Sequence, residues 1–140
     1  MAGLVVDTSV VVKWYLPEQD HEPARELRDA YLEGEFDLIA PALLPFETIN
    51  ALRYSGHFDT EQLDAAAQSL SEYGIDLIPF REVGAVTKIA TALDITVYDA
   101  AYVALAEQFE TTGYTADETL LDDLAEGYSD RLAHIHTYSS

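Results

Sequence analysis

Four acidic residues occupy places where an α/β chain would let them do chemistry together: Asp7, Glu47, Asp99 and Asp117. Asp7 ends the apolar run Leu4-Val5-Val6 and precedes Thr8 and Ser9. A carboxylate at the tip of a buried strand faces desolvation, so it stays ionised only beside a cation or several donors. The plainer role is a helix cap, because Asp before Thr-Ser is good capping chemistry. Glu47 lies in the helical opening PALLPFETINAL, with Asn50 one turn on, where its amide could orient the carboxylate. Taken alone, a solvated Glu favoured by the helix dipole is the simpler account. Asp99 sits in the first turn of YDAAYVALAEQF beside small alanines, where dipole-favoured capping explains it by itself. Asp117 follows TTGYT and a single alanine, and could merely cap a short helix from Glu118; Asp122 and Asp123 suit outer positions or plain surface charge.

As a set, the four mean more than each alone. Carboxylates gathered without compensation repel strongly. Hard divalent cations resolve this: Mg²⁺ or Mn²⁺ prefers oxygen ligands, keeps several waters and binds through a few carboxylates plus substrate phosphate. Such ions activate water and stabilise the leaving oxygen of an in-line phosphodiester cleavage. Spacing along the chain does not by itself establish that the acids converge.

The elements needed to position them are legible. Short apolar runs alternate with amphipathic stretches, the pattern of an α/β domain with a largely parallel sheet. Residues 3–7 (GLVVD) read as a buried first strand and residues 8–16 as a short helix stopped near Pro17. Pro23 suits the first turn of a second helix with Ala24, Leu27 and Tyr31 on one face, capped by Gly34. A second strand over 37–40 precedes a third helix begun by Pro45, with Phe46, Ile49 and Arg53 sharing a side. The fourth helix opens on the capping-box pattern Asp59-x-x-Gln62 and runs through Leu63, Ala66, Ala67 and Leu70 to Gly74, followed by a strand over 75–79. The spacing of Val83, Val86, Ala90 and Leu93 predicts a helix. Residues 98–109 carry a stripe of Tyr98, Tyr102, Leu105 and Phe109, and 111–115 read as a weaker strand containing Gly113. Residues 133–136 alternate apolar and polar faces, as an edge strand does. Ligands of open α/β sheets gather outside the carboxyl ends of the strands, the side where the acids fall.

At these residues the chain resembles the PIN-domain family, in particular the VapC-type toxins of bacterial and archaeal toxin–antitoxin pairs. VVDTSVVVKWYLPE looks like that family's first strand, ETINAL resembles its E-x-x-N-x-L motif, DAAYVALAE its third acidic motif and YTADETL its T-x-D-x-x-L ending. All occur in order over essentially the whole chain, so residues 1–140 are expected to form one PIN domain. The resemblance implies a three-layer α/β/α fold with a five-stranded, mainly parallel sheet in the order 3-2-1-4-5. It implies that Asp7, Glu47, Asp99 and Asp117 bind Mg²⁺ or Mn²⁺ and carry catalysis. Thr8, Ser9 and Thr115 match hydroxyl positions that order the site, and Asn50 matches the polar helper of the second acid. The implied reaction is RNA hydrolysis leaving a 5′-phosphate and a 3′-hydroxyl, by a homodimer that an antitoxin protein neutralises. A PIN domain acting as a binding or scaffold protein with little or no nuclease activity is the alternative. The chain departs from the family at TTGY, where a more apolar strand is usual, and in its few basic residues.

Composition bears on that reading. The chain has 26 acidic residues against 7 Lys plus Arg, a formal net charge of −19. Nucleic-acid affinity ordinarily comes from Lys and Arg, so this charge is the main objection to a nuclease. Lys13, Arg53 and Arg81 are the candidates for phosphate contact, although solvated basic residues are commonplace. The acids are spread along the chain rather than gathered in a tail, which favours adaptation to molar salt, as in a halophilic archaeon. At such salt the contribution of basic residues is small in any case and divalent cations supply local positive charge, which weakens the objection without removing it. The sequence contains no cysteine, hence no disulfide or thiolate metal site. No apolar run reaches the roughly 20 residues of a membrane span, and the opening lacks the basic stretch of a secretory signal, so a cytoplasmic location is expected.

Other residues compete less well. His134 and His136 would share a strand face and suggest a transition metal, but no third ligand is apparent nearby. Trp14 and Tyr15 suit base stacking or, more simply, the core. A phosphoacceptor receiver would need an Asp where the third strand ends in Ile78-Pro79, and an Asp-x-Asp phosphatase would need an acid at Ser9.

Overall fold

In the computed structural model the described residues are 2–125 and 127–139. Five parallel strands form one sheet in the order β3-β2-β1-β4-β5. They are β1 (Gly3–Val6), β2 (Asp37–Pro41), β3 (Asp76–Ile78), β4 (Gly113–Thr115) and β5 (Leu132–His134). Between them run α1 (Thr8–Val11), α2 (His21–Leu32), α3 (Leu44–Tyr54), α4 (Thr60–Glu72), α5 (Val86–Leu93), α6 (Val97–Gln108) and α7 (Glu118–Asp123). The sheet order and flanking helices are those expected of a PIN-like α/β/α fold. No single helix among the described residues is long and apolar enough to cross a membrane.

The central strand explains itself. Val5 and Val6 are fully buried, as they must be in a strand covered on both faces. Gly113 accounts for the unusual TTGY: a Cβ there would lie 2.7 Å from Leu132 Cδ2 and 3.0 Å from Val5 Cβ. The missing side chain lets β4 fit between β1 and β5. Thr111 compensates for its polarity by donating its hydroxyl to the Gly3 carbonyl. The register that results pairs Val6 with Tyr114 and sets Thr115 beside Asp7.

Several elements differ from the sequence reading, each for a local reason. The first helix tightens into a 3-10 turn at Val12–Trp14. Trp14 belongs to the core, its Nε1 donating to the Ala24 carbonyl at 2.9 Å. In α3 the buried face is Leu44, Thr48 and Leu52, whereas Phe46 is 80% exposed, so the expected Phe46–Ile49–Arg53 side is not the packed one. The fifth helix begins at Val86 because Ala85 has φ of +62° and interrupts the run from Val83. Helix α6 is buried on most of its surface, since Ala100, Ala101, Ala104 and Ala106 allow close approach on several sides. Tyr102 and Leu105 are buried, but Tyr98 and Phe109, at the ends of the same stripe, are largely exposed. Strand β5 is an edge as expected, yet it stops at His134, and His136 lies in a following 3-10 turn. The capping box at Asp59 and Gln62 forms with both bonds at 2.8 Å.

Candidate active site

The carboxyl ends of β1 and β4 open into a cavity of about 360 Å³ whose lining includes Asp7, Glu47, Asp99 and Asp117. Acids as far apart in sequence as Asp7 and Asp117 therefore meet in one place. Each acid is carried at a helix start: Asp7 and Asp117 are the N-caps of α1 and α7, and Glu47 and Asp99 lie in the first turns of α3 and α6. Helix N-termini favour negative charge. Capping and a place in the cavity are thus the same fact for Asp7 and Asp117.

Asp7 is the deepest of the four, 5% exposed. Its Oδ1 accepts from the Ser9 amide and from Ser9 Oγ at 2.6 Å, and its Oδ2 accepts from Thr115 Oγ1 at 2.7 Å. Burial pushes its carboxyl up to about 6 despite the Ser9 and Thr115 donors, and the nearby Asp99 charge adds to the rise. Ser9 Oγ also accepts from the Ala116 amide at 2.8 Å, and Thr115 Oγ1 from the Asp117 amide at 3.0 Å, tying the Asp7 pocket to the turn that carries Asp117. Asp117 accepts from the Leu120 amide at 3.1 Å. Asp99 is raised above the usual carboxylate range, chiefly by burial; Thr96 opposes the shift, and the charges of Asp117 and Asp123 reinforce it.

Glu47 is held by hydroxyls rather than by an amide. Its Oε1 accepts from Thr8 Oγ1 at 2.9 Å and from the Tyr102 hydroxyl at 2.8 Å. Asn50, expected to orient Glu47, is exposed and makes no hydrogen bond to it. At positions 47 and 50 the helix turns the amide outward while the carboxylate faces the cavity. Tyr102 was legible only as an apolar-stripe residue; its partner lies 55 residues away in sequence, and no local pattern announces it.

The basic candidates divide. Lys13 lines the cavity and is buried, with its ammonium 3.2 Å from Glu18. It pairs with none of the four acids among the described residues, so it does not neutralise them. Arg53 lies over the Tyr54 ring at 5.0 Å and Arg81 is exposed beside Glu82; neither lines the cavity. His134 and His136 bond to each other at 2.6 Å between Nδ1 atoms, outside this cavity.

The donor set is all oxygen, the choice of a hard divalent cation. As the side chains stand, no three acidic or histidine groups among the described residues are close enough to hold an ion directly. Mg²⁺ tolerates this, because it binds through one or two carboxylates and completes its shell with water and phosphate. Burial raises the carboxyls of Asp7 and Asp99, and a cation beside them would favour their charged form. The residues fit such an ion.

Comparisons with known proteins agree with the geometry. A crystal structure of PAE2754 from Pyrobaculum aerophilum is similar, with a TM-score of 0.70 at 20% identity over 97% of this chain and 85% of that one. At that identity the likeness speaks for the fold. No curated protein sequence matches the chain. The PIN domain model matches residues 4–126, a span holding every acid of the cavity. PIN domains have a nuclease-type fold and typically use divalent metals, and this chain belongs to the PIN domain family.

Proposed function

We propose that the protein is a Mg²⁺- or Mn²⁺-dependent endoribonuclease that hydrolyses RNA phosphodiester bonds at the Asp7–Glu47–Asp99–Asp117 cavity. The observation that carries this reading is the meeting of four acids from four separate helix starts around one cavity, with Asp7 buried and pushed up to about 6. Burying a carboxylate costs free energy unless a cation or donors compensate it, and the donors at Asp7 compensate only in part.

In this reading Asp7, Glu47, Asp99 and Asp117 hold the cation. When bound, the ion lowers the pKa of water and offsets charge on the reacting phosphate. Ser9 and Thr115 keep both Asp7 oxygens fixed, and Thr8 and Tyr102 fix Glu47. Asp117 is anchored through its own cap on α7. Lys13 is the basic residue within reach of a phosphate in the cavity once it leaves Glu18.

The VapC-like motifs further support a place as the toxin of a type II toxin–antitoxin pair. The protein would act as a homodimer in a cytoplasm of high salt, with an antitoxin protein covering the acidic groove. A reading frame for a small partner beside this one would support that role. The decisive experiment compares wild type with Asp7→Asn on structured and unstructured RNA in molar KCl, with Mn²⁺ or with a chelator. Cleavage should need both the metal and Asp7. Cleavage that survives both changes refutes the mechanism, and no cleavage in any salt favours the scaffold reading.

A further inference from the structure

Glu47 has a feature that the other acids lack. Two hydroxyls converge on the same carboxylate oxygen, Oε1: Thr8 Oγ1 at 2.9 Å and the Tyr102 hydroxyl at 2.8 Å, the two hydroxyl oxygens being 3.0 Å apart. Among the described residues no donor reaches Oε2. Tyr102 is 2% exposed, so its hydroxyl is held in the packed interior where it donates to Glu47. The two donors also come from informative places. Thr8 follows Asp7, and Tyr102 lies one turn after Asp99 on α6. The two segments that bring Asp7 and Asp99 to the cavity therefore fix the acid supplied by α3.

The terminal torsion of a Glu side chain is broad when free. Two donors on one oxygen confine it before any ligand arrives and leave the second oxygen to act alone. A carboxylate offering one oxygen suits Mg²⁺ or Mn²⁺, which demand near-ideal octahedral geometry. It suits Ca²⁺ less, since Ca²⁺ readily accepts both oxygens of a carboxylate.

We propose that Tyr102 is a positioning residue which, with Thr8, clamps Glu47 Oε1 so that Oε2 alone is offered to a divalent cation, favouring Mg²⁺ and Mn²⁺ over Ca²⁺. This rests on the metal-dependent reading above. Outer partners of metal ligands are commonly worth roughly 10- to 100-fold in metal affinity. Titration calorimetry of the full chain with Mn²⁺ and with Ca²⁺ tests the clamp. Tyr102→Phe should weaken Mn²⁺ by roughly 10- to 100-fold and Ca²⁺ by less, so that the ratio of the two affinities falls. Thr8→Val should act in the same way, and Thr8→Ser should retain wild-type behaviour. In a Glu47→Gln background, Tyr102→Phe should have no further effect. Unchanged Mn²⁺ affinity in both Tyr102→Phe and Thr8→Val overturns the clamp. So does an equal loss for the two ions, or an equal loss with and without Glu47. If Tyr102→Phe fails to fold, the Thr8 pair decides. Wild-type protein that binds neither ion overturns the metal-dependent reading itself and the clamp with it; wild type that binds Mn²⁺ no better than the two clamp variants overturns the clamp alone.

Discussion

The cavity has two unlike halves. Asp7 and Glu47 are each held by two side-chain hydroxyls, Ser9 and Thr115 on the first and Thr8 and Tyr102 on the second, and Asp7 takes the Ser9 amide as well. Asp99 is placed by the first turn of α6 and Asp117 by the N-cap of α7, and Asp117 takes no side-chain hydroxyl among the described residues but accepts a backbone amide. A hydroxyl clamp fixes a carboxylate's orientation and excludes competing rotamers. A helix start fixes its position and supplies a favourable dipole, which falls off within a turn. The first half is thus ordered before any ligand binds, and the second half draws more of its stabilisation from whatever charge enters the cavity. The contrast matters because an acid in the ordered half cannot relax away when the cation is absent. Its cost shows in Asp7, which burial pushes up to about 6.

The largest expected effect lies in the ordered half. Asp7→Asn keeps the shape of the side chain and removes its charge, and RNA cleavage with Mn²⁺ should fall by about three orders of magnitude. A nuclease assay on the folded variant checks this; a variant as active as wild type would place the chemistry elsewhere.

The next effect is on stability without metal. Asp7 rises from 3.8 to about 6 on folding. Between those values the native state binds more protons than the unfolded chain, so stability falls as pH rises through the window and the penalty is complete above about pH 6. The shift corresponds to about 3 kcal/mol. Denaturant unfolding in chelator at pH 4 to 7 should show this slope, and Asp7→Asn should flatten it. An unchanged slope in the variant would assign the titration to another group.

Metal should reverse that penalty. At a free Mn²⁺ concentration 100 times the dissociation constant, linkage gives about 2.7 kcal/mol, seen as a higher unfolding temperature in wild type and a much smaller rise in Asp7→Asn. Equal rises in the two proteins would indicate binding outside the cavity.

The smallest effect belongs to the second half. Asp117→Ala removes the acceptor of the Leu120 amide and should cost about 1 kcal/mol of stability in denaturant unfolding. A loss as large as the Asp7 penalty would erase the distinction between the halves.

Much of this was written in the local sequence. The apolar run into Asp7, the capping box at Asp59 and the alternation of short strands with helices are local signals, and the sheet that forms respects them. The four acids were legible as candidates through the motifs that carry them in order, although capping or a solvated helix start explained each by itself and spacing left their convergence open. Asn50 shows the limit. Helical spacing put its amide near Glu47, but proximity on a helix does not fix which way either side chain turns, and the carboxylate found better donors elsewhere. Lys13, Arg53 and Arg81 were equal candidates by type, and only their places in the fold separated the first, which lines the cavity, from the others.

The sequence by itself determined the elements, their order and the acids at their ends, since propensity, capping and apolar periodicity act over a few residues. Tertiary structure alone decided that Gly113 would let β4 lie against β1 and β5, that Thr115 would reach Asp7, and that Tyr102 would leave the apolar stripe to hold Glu47. The last two contacts join residues 108 and 55 positions apart. They depend on the register of the sheet and the depth at which each helix packs, which no short stretch of sequence specifies.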